Sequence, residues 1–270
     1  MGEYPIRLTA SFVTALAIVL FGCRRAEDGG PPEPAPHPSR PKAVGQSPAT
    51  RNGADRLADA SRDTGTVEGT VRLAGEGVPT STIVPVGADA QYCGHQYSKE
   101  DCVVDPGSRG IRYVIVHLAG KELDRLPKAR PEHLLLDNKD CRFEPHAAVL
   151  TVGSTLEVRN SDKILHTAHA YFAATFNLAL PQAGISLKRV LSRPGMVQIR
   201  CDNHGWMNAF IRVDGHPFHA VTDSQGRFKI VGVPLGTYTL EAWHERFGSQ
   251  KREVSVRDQQ TTKVNLTFVE

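Results

Sequence analysis

From Thr64 to its end, the chain alternates apolar and polar residues in short runs. Such runs lie at residues 67–73, 113–118, 156–158, 228–230, 238–240 and 254–256. Clusters of Gly, Pro, Asn and Asp separate them, and no long segment keeps a helical period. Alternation with period two is typical of strands with one buried face, and many short strands with regular turns indicate sandwiches or barrels. The sequence therefore predicts an all-β fold.

Length and charge limit the classes of protein to consider. The chain has 270 residues, 40% of them hydrophobic, which is enough for one or two ordinary domains and a flexible segment. The formal net charge is only +3, and no run of Lys and Arg or basic stripe with interleaved aromatic residues is present. These features predict that the protein does not bind nucleic acid.

The first residues have the pattern of a bacterial export signal. Arg7 precedes an apolar run over residues 8–21, which is short for a membrane span but suits a signal peptide over residues 1–22. The stretch at the end of this run, Leu20-Phe21-Gly22-Cys23, resembles a lipobox, in which Cys23 would carry lipid and begin the mature chain. Simple secretion is the alternative. Because Arg24 follows where inner-membrane lipoproteins often have Asp, the preferred location is the bacterial cell envelope, anchored in the outer membrane and facing the periplasm.

Residues 23–64 have the composition of a tether. They are crowded with Pro, Gly, Ala, Ser and charged residues, as at 29–36, and have almost no aromatic or β-branched side chains. Such a segment cannot bury a core, so it is predicted to be disordered and semi-extended.

One short stretch carries metal-binding chemistry. Cys201, His204 and Met207 place a thiolate, an imidazole and a thioether in one turn, and His166 closes an alternating segment at 153–166. Thiolate and thioether are soft ligands for Cu(I), and imidazole suits both oxidation states of copper. This set predicts one copper ion that shuttles one electron. The alternative is that Cys201 forms a disulfide with Cys141.

The spacing Cys201-x2-His204-x2-Met207, preceded by the segment ending at His166, resembles the cupredoxin family of the amicyanin and plastocyanin type. The resemblance implies a Greek-key β-sandwich over residues 128–215. It also implies a single type 1 copper held by His166, Cys201, His204 and Met207. Such a protein would be an electron carrier and not an enzyme, and its redox partner would dock near His204.

Two further histidines are candidates for a second metal site. His146 and His169 lie near the predicted copper segment in sequence. Surface or structural imidazoles are the alternative for both, and the preferred one.

The flanks of the copper segment show a second resemblance. The stretches 65–71, 221–228, 233–238 and 262–268 resemble the carboxypeptidase regulatory-like domain, a small prealbumin-type sandwich. The resemblance implies that residues 66–125 and 216–270 are two halves of one sandwich with the copper domain inserted between them. Three consecutive small units are the alternative. This pairing of domains is similar to that of bacterial proteins called methylamine utilisation proteins.

Cysteine usage leaves a pairing open. If Cys23 carries lipid and Cys201 carries copper, then Cys93, Cys102 and Cys141 remain for one disulfide and one free thiol. Cys93 with Cys141 is preferred, and a local loop from Cys93 to Cys102 is the rival.

Two other functions remain open. The same ligands would serve a protein that stores or delivers copper. A β-sandwich adhesion or scaffold lipoprotein with a vestigial metal site is the other alternative.

Overall fold

The computed structural model describes residues 63–77 and 79–270. The predicted signal peptide, the lipidation site Cys23 and nearly all of the tether lie outside these residues. Over the described part, strands account for almost all regular structure, which confirms the all-β prediction. None of its helices has the length and apolar character needed to cross a membrane.

Two sheets form a first sandwich, with strands numbered along the chain. One sheet has the order β15-β1-β18, with β19 also paired to β1. The other has the order β14-β4-β16-β17. The strands are β1 Thr64–Leu73, β4 Ile115–Ala119, β14 His219–Val221, β15 Arg227–Pro234, β16 Gly236–His244, β17 Gly248–Val256, β18 Thr261–Lys263 and β19 Leu266–Phe268. The described strands that pair with β1 all come from the last part of the chain, and Arg72 of β1 also bridges to Gly110.

The apolar residues of the alternating runs fill the core of this first sandwich. Val67, Val71 and Leu73 of β1 face it, together with Phe228 and Ile230 of β15. The turn before β15 requires a glycine, because Gly226 has a φ of 74° and a Cβ there would collide with the carbonyl of Val71.

A second sandwich lies in sequence between β1 and β15. Its sheets have the orders β10-β9-β12-β13-β7 and β11-β8-β5-β6. The strands are β5 His133–Lys139, β6 Arg142–Glu144, β7 Ala147–Thr151, β8 Thr155–Asn160, β9 His166–Phe172, β10 Phe176–Leu180, β11 Ser186–Val190, β12 Gly195–Arg200 and β13 Asn208–Asp214. A separate apolar core lies between the two sheets. Most pairs are antiparallel, but β5 with β8 and β13 with β7 are parallel.

The two sandwiches also meet through a small apolar interface. Ile115 of β4, Ala147 of β7 and Phe210 of β13 are buried there, and Trp243 of β16 packs on Phe210 with 5.0 Å between ring centroids. The interface joins the outer face of one sheet from each sandwich.

Between β1 and β4 the chain leaves the first sandwich and lies over the second. We call residues 79–101 the cover segment. It contains β2 Ile83–Pro85, the single helical turn α1 Ala90–Cys93 and β3 Gln96–Ser98. Strands β2 and β3 form a hairpin of their own. Val84, Val86 and Tyr97 pack against the core of the second sandwich. The cover segment therefore connects two strands of the first sandwich but makes its contacts with the second. The remaining regular element is a 3-10 turn at Leu123–Arg125.

Candidate metal centre

The loop after β12 holds the predicted donors in a closed turn. Cys201 follows the last residue of β12, and β13 begins immediately after Met207. The backbone N–H of Met207 donates to the carbonyl of His204 at 2.9 Å, and the N–H of Cys201 donates to the carbonyl of Met207 at 3.3 Å. These two bonds keep the loop compact, so the donors point into the end of the sandwich.

The second histidine arrives from the neighbouring strand. His166 is the first residue of β9, and β9 pairs with β12 so that His169 lies opposite Arg200. This register brings the start of β9 beside the end of β12. His166 and Cys201 therefore meet although 35 residues separate them in sequence.

The three donor atoms form a triangle that suits one metal ion. The Nδ1 atoms of His166 and His204 are 3.0 Å apart, and the Cys201 Sγ lies 3.9 Å from the first and 3.5 Å from the second. Three ligands spread evenly at about 2.0–2.3 Å from a metal lie roughly 3.5–4 Å apart. The distances to sulfur match this spacing, and the nitrogen pair is slightly closer. Within residues 63–77 and 79–270, His166, Cys201 and His204 form the one group of three or more such side chains that could hold a metal ion.

Burial makes this centre dry. His166, Cys201 and His204 are all buried, and so is Met207, which belongs to the core of the second sandwich beside Cys201. A thioether is a weak ligand with softness matched to Cu(I). The donor set therefore fits copper better than a hard cation, which would require carboxylate or carbonyl oxygens.

The site also stabilises a thiolate. Burial raises the pKa of the Cys201 thiol, but hydrogen bonds from His166 and His204 outweigh it and lower the pKa to about 5. The backbone N–H of Thr167 adds a bond to the sulfur at 3.4 Å. Since the thiolate is the form that binds metals, the sulfur is ready to bind copper at neutral pH.

The titration of Cys201 gives a direct test in the metal-free protein. Because the pKa falls from the usual 9.0 to about 5 on folding, the thiolate favours the folded state at high pH. That contribution is lost as the pH falls through about 5. We expect the ultraviolet thiolate absorbance of the native protein to titrate near this value, and Cys201→Ser to remove the titration. A native midpoint near that of the denatured chain would contradict the assignment.

Two carboxylates that the sequence did not point to orient the histidines. The Nε2 of His166 lies 2.9 Å from Asp162 Oδ2, and the Nε2 of His204 lies 2.9 Å from Asp89 Oδ2. In the metal-free site each Nδ1 faces the Cys201 sulfur and donates to it. With a metal bound, a proton on each Nε2 would leave the lone pair of each Nδ1 free for the metal. Asp162 lies four residues before His166, a spacing that could have suggested the contact. Asp89 is 115 residues from His204 and carries no such local signal.

The disulfide lies close to this centre. Cys93 of α1 is bonded to Cys141, with 5.7 Å between the Cα atoms, while Cys102 and Cys201 are free thiols. The backbone N–H of Cys141 donates to Asp162 at 2.9 Å, and its carbonyl accepts the indole N–H of Trp206 at 3.0 Å. One end of the disulfide is therefore part of the layer around the metal-binding side chains.

The two histidines considered for a second metal have separate surroundings. His146 is hydrogen-bonded to Glu245 and packs against Tyr113 near the interface between the sandwiches. His169 is partly exposed and contacts Asp202 at 3.1 Å. In the described part of the chain, neither belongs to a group of three or more ligating side chains.

A family model described as the carboxypeptidase regulatory-like domain matches residues 195–269. Residues 195–269 are therefore similar to the carboxypeptidase regulatory-like domain. The match begins at β12 of the second sandwich, continues to β19, and leaves out β1 and β4. A search of curated proteins finds no match.

Several solved structures are similar to part of this chain. A copper-containing nitrite reductase of Thermus scotoductus SA-01 is 20% identical, with a TM-score of 0.28 over 36% of this chain and 25% of the reductase. A purple cupredoxin of Nitrosopumilus maritimus is 19% identical, with a TM-score of 0.27 over 30% of this chain and 98% of its own. Amicyanin of Paracoccus versutus is 12% identical, with a TM-score of 0.27 over 36% of this chain and 96% of its own.

Proposed function

We propose that this chain is a cupredoxin-type copper protein that binds one ion in a type 1 site and carries single electrons. The observation behind the proposal is the buried triangle of His166 Nδ1, His204 Nδ1 and Cys201 Sγ. Met207 would supply the weak fourth ligand. Two imidazoles and one thiolate in this arrangement, with an axial thioether, are the ligand set of blue copper centres.

Bound copper would supply the one-electron couple, and the protein would hold its ligands in one arrangement for both oxidation states. Asp162 and Asp89 orient the imidazoles, and the N–H of Thr167 donates to the sulfur. Trp206 packs on His204 with 5.0 Å between ring centroids and helps to keep water out. A rigid, dry cage of this kind lowers the rearrangement that accompanies electron transfer.

The backbone N–H of Asn203 offers a test of how the sulfur is tuned. This N–H also lowers the pKa of the Cys201 thiol, as expected of a donor near the sulfur. A donor to the sulfur favours Cu(I), so Asn203→Pro should lower the reduction potential. Loss of one such bond costs about 1 kcal/mol, and about 59 mV corresponds to a tenfold change for one electron, so we expect a decrease of roughly 40 mV. Voltammetry of both proteins measures it, and an unchanged potential would contradict this role.

The cellular setting is part of the proposal. Lipid on Cys23 would anchor the protein to a membrane, with the outer membrane preferred, and the folded part would face the periplasm. A redox protein would dock near His204, where it would meet the cover segment, because His204 is buried beneath Asp89. We propose no enzymatic role, since the ligating side chains are buried.

Copper storage or delivery is the second candidate, and the burial of all the ligating side chains favours it. Cyclic voltammetry of the copper-loaded protein separates the two. A reversible one-electron wave with fast exchange supports the carrier. Slow or irreversible reduction, with copper passed to an acceptor chelator, would support storage or delivery. If the protein binds no copper, the remaining function is that of a β-sandwich scaffold.

A further inference from the structure

The contacts of the cover segment converge on the metal centre. Asp89 binds His204, and the Tyr92 hydroxyl lies 3.3 Å from Asp162 Oδ1. Tyr97 stacks on Trp206 with 5.4 Å between ring centroids. Cys93 bonds Cys141 covalently. The first three contacts end on His204 or on a residue that touches a copper-binding histidine. Cys141 lies one step further out, hydrogen-bonded to both Asp162 and Trp206.

Burial of His204 depends on this segment. The side chain of His204 is 2% exposed, whereas that of Asp89, which sits on it, is 36% exposed. The other donors are buried within the sandwich. Asp89 therefore separates the ring of His204 from solvent, and the route from solvent to the copper ligands passes beneath the cover segment.

No side chain of the cover segment is fully buried, although Val84, Val86 and Tyr97 pack on the second sandwich and are half-buried. Its helical turn α1 has no buried residue, and Ile83 and Tyr92 are largely exposed. Segments with little apolar burial open locally at low cost in free energy. The bond from Cys93 to Cys141 limits how far this segment can move. The cover segment can therefore move a small distance away from the site while the disulfide keeps it attached.

Asp89 links this movement to the geometry of the metal ligand. Its carboxylate accepts the Nε2 proton of His204, so the ring is oriented only while the cover segment is closed. Carboxylates in this position fix the tautomer and ring direction of metal-binding histidines. Lifting the segment would free the ring and open the site in one step.

We propose that the cover segment is a lid over the copper centre, that Asp89 is a positioning residue for His204, and that opening of this lid sets the rate of copper exchange. The inference rests on the copper site of the proposed function. It adds a role for the first sandwich, which contributes the lid, while the second sandwich contributes the ligands.

The test is the rate at which the copper-loaded protein loses Cu(II) to excess EDTA, followed through the thiolate-to-copper band. Asp89→Ala should speed the loss by about 10- to 100-fold and shift the band, since the ring of His204 loses its partner. Asp89→Asn, whose amide oxygen still accepts the Nε2 proton, should restore most of the retention. Replacing both Cys93 and Cys141 by Ala should also speed the loss.

Asp258→Ala removes an exposed carboxylate in the turn after β17 and serves as the matched control, with release at the wild-type rate. If the double cysteine variant fails to fold, the Asp89 variants still test whether the cover segment acts as a lid. If Asp89→Ala loses Cu(II) at the wild-type rate and its thiolate-to-copper band is unchanged, the proposal that the cover segment is a lid is wrong. A wild-type protein that shows no band would overturn the proposed function itself, and the lid with it.

Discussion

Replacing Cys201 by serine is expected to abolish the thiolate-to-copper absorption and to weaken copper binding by about a hundredfold or more. The hydroxyl of serine stays protonated near neutral pH, so the site would lose its one anionic soft donor. The two Nδ1 atoms of His166 and His204 would remain 3.0 Å apart and could still bind copper weakly. Visible spectroscopy and a competitive titration measure both effects.

Cys102→Ser is the matched control for this prediction. Cys102 is also a free, buried thiol, but it lies in the core of the first sandwich and its Sγ is near the carbonyl of Pro79. The variant should keep the full band. A band that survives Cys201→Ser, or disappears in Cys102→Ser, would place the copper thiolate elsewhere.

Replacing Asp162 by alanine is expected to reduce both stability and copper affinity. The buried carboxylate accepts the backbone N–H groups of Asp140 and Cys141, each at 2.9 Å, and binds the Nε2 of His166. Its removal leaves several buried donors without a partner, at about 1–3 kcal/mol each. We expect a loss of about 3–5 kcal/mol in the free energy of unfolding, and a 10- to 100-fold loss of copper affinity. Urea unfolding of the metal-free protein and copper titration measure these changes.

Two further substitutions serve as controls for the Asp162→Ala prediction. Asp162→Asn keeps one acceptor oxygen and should fall between the wild type and Asp162→Ala. Asp140→Asn changes an exposed carboxylate in the turn between β5 and β6, whose backbone N–H donates to Asp162. Asparagine tolerates the positive φ of 53° at this position, so the change should be nearly neutral. An Asp162→Ala protein within about 0.5 kcal/mol of the wild type would show that the network does not stabilise the fold.

The strands and the ligand loop could be predicted because both are local patterns. Alternation along β1 and β15 specifies which side chains face the core. The spacing of Cys201 and His204 within one turn restricts how their donors can meet. His166 was predicted from the strand that carries it, although its contact with Cys201 depends on the pairing of β9 with β12.

The surroundings of the metal could not be read from local patterns. Asp89 reaches His204 only because the cover segment crosses from one sandwich to the other, and Tyr97 reaches Trp206 in the same way. Such contacts depend on tertiary packing over long separations, which alternation and spacing do not encode. Closeness in sequence can also mislead. His169 is three residues from His166, but its side chain contacts Asp202 instead of the other metal-binding side chains.

The most direct measurement of the central claim is a titration of the purified, metal-free protein with Cu(II), followed by visible absorption and electron paramagnetic resonance. We predict an intense thiolate-to-copper band that saturates at one copper per chain, with the small copper hyperfine splitting of a type 1 site. Weak absorption without thiolate character, or no saturable binding, would contradict the claim that His166, Cys201 and His204 hold one copper ion.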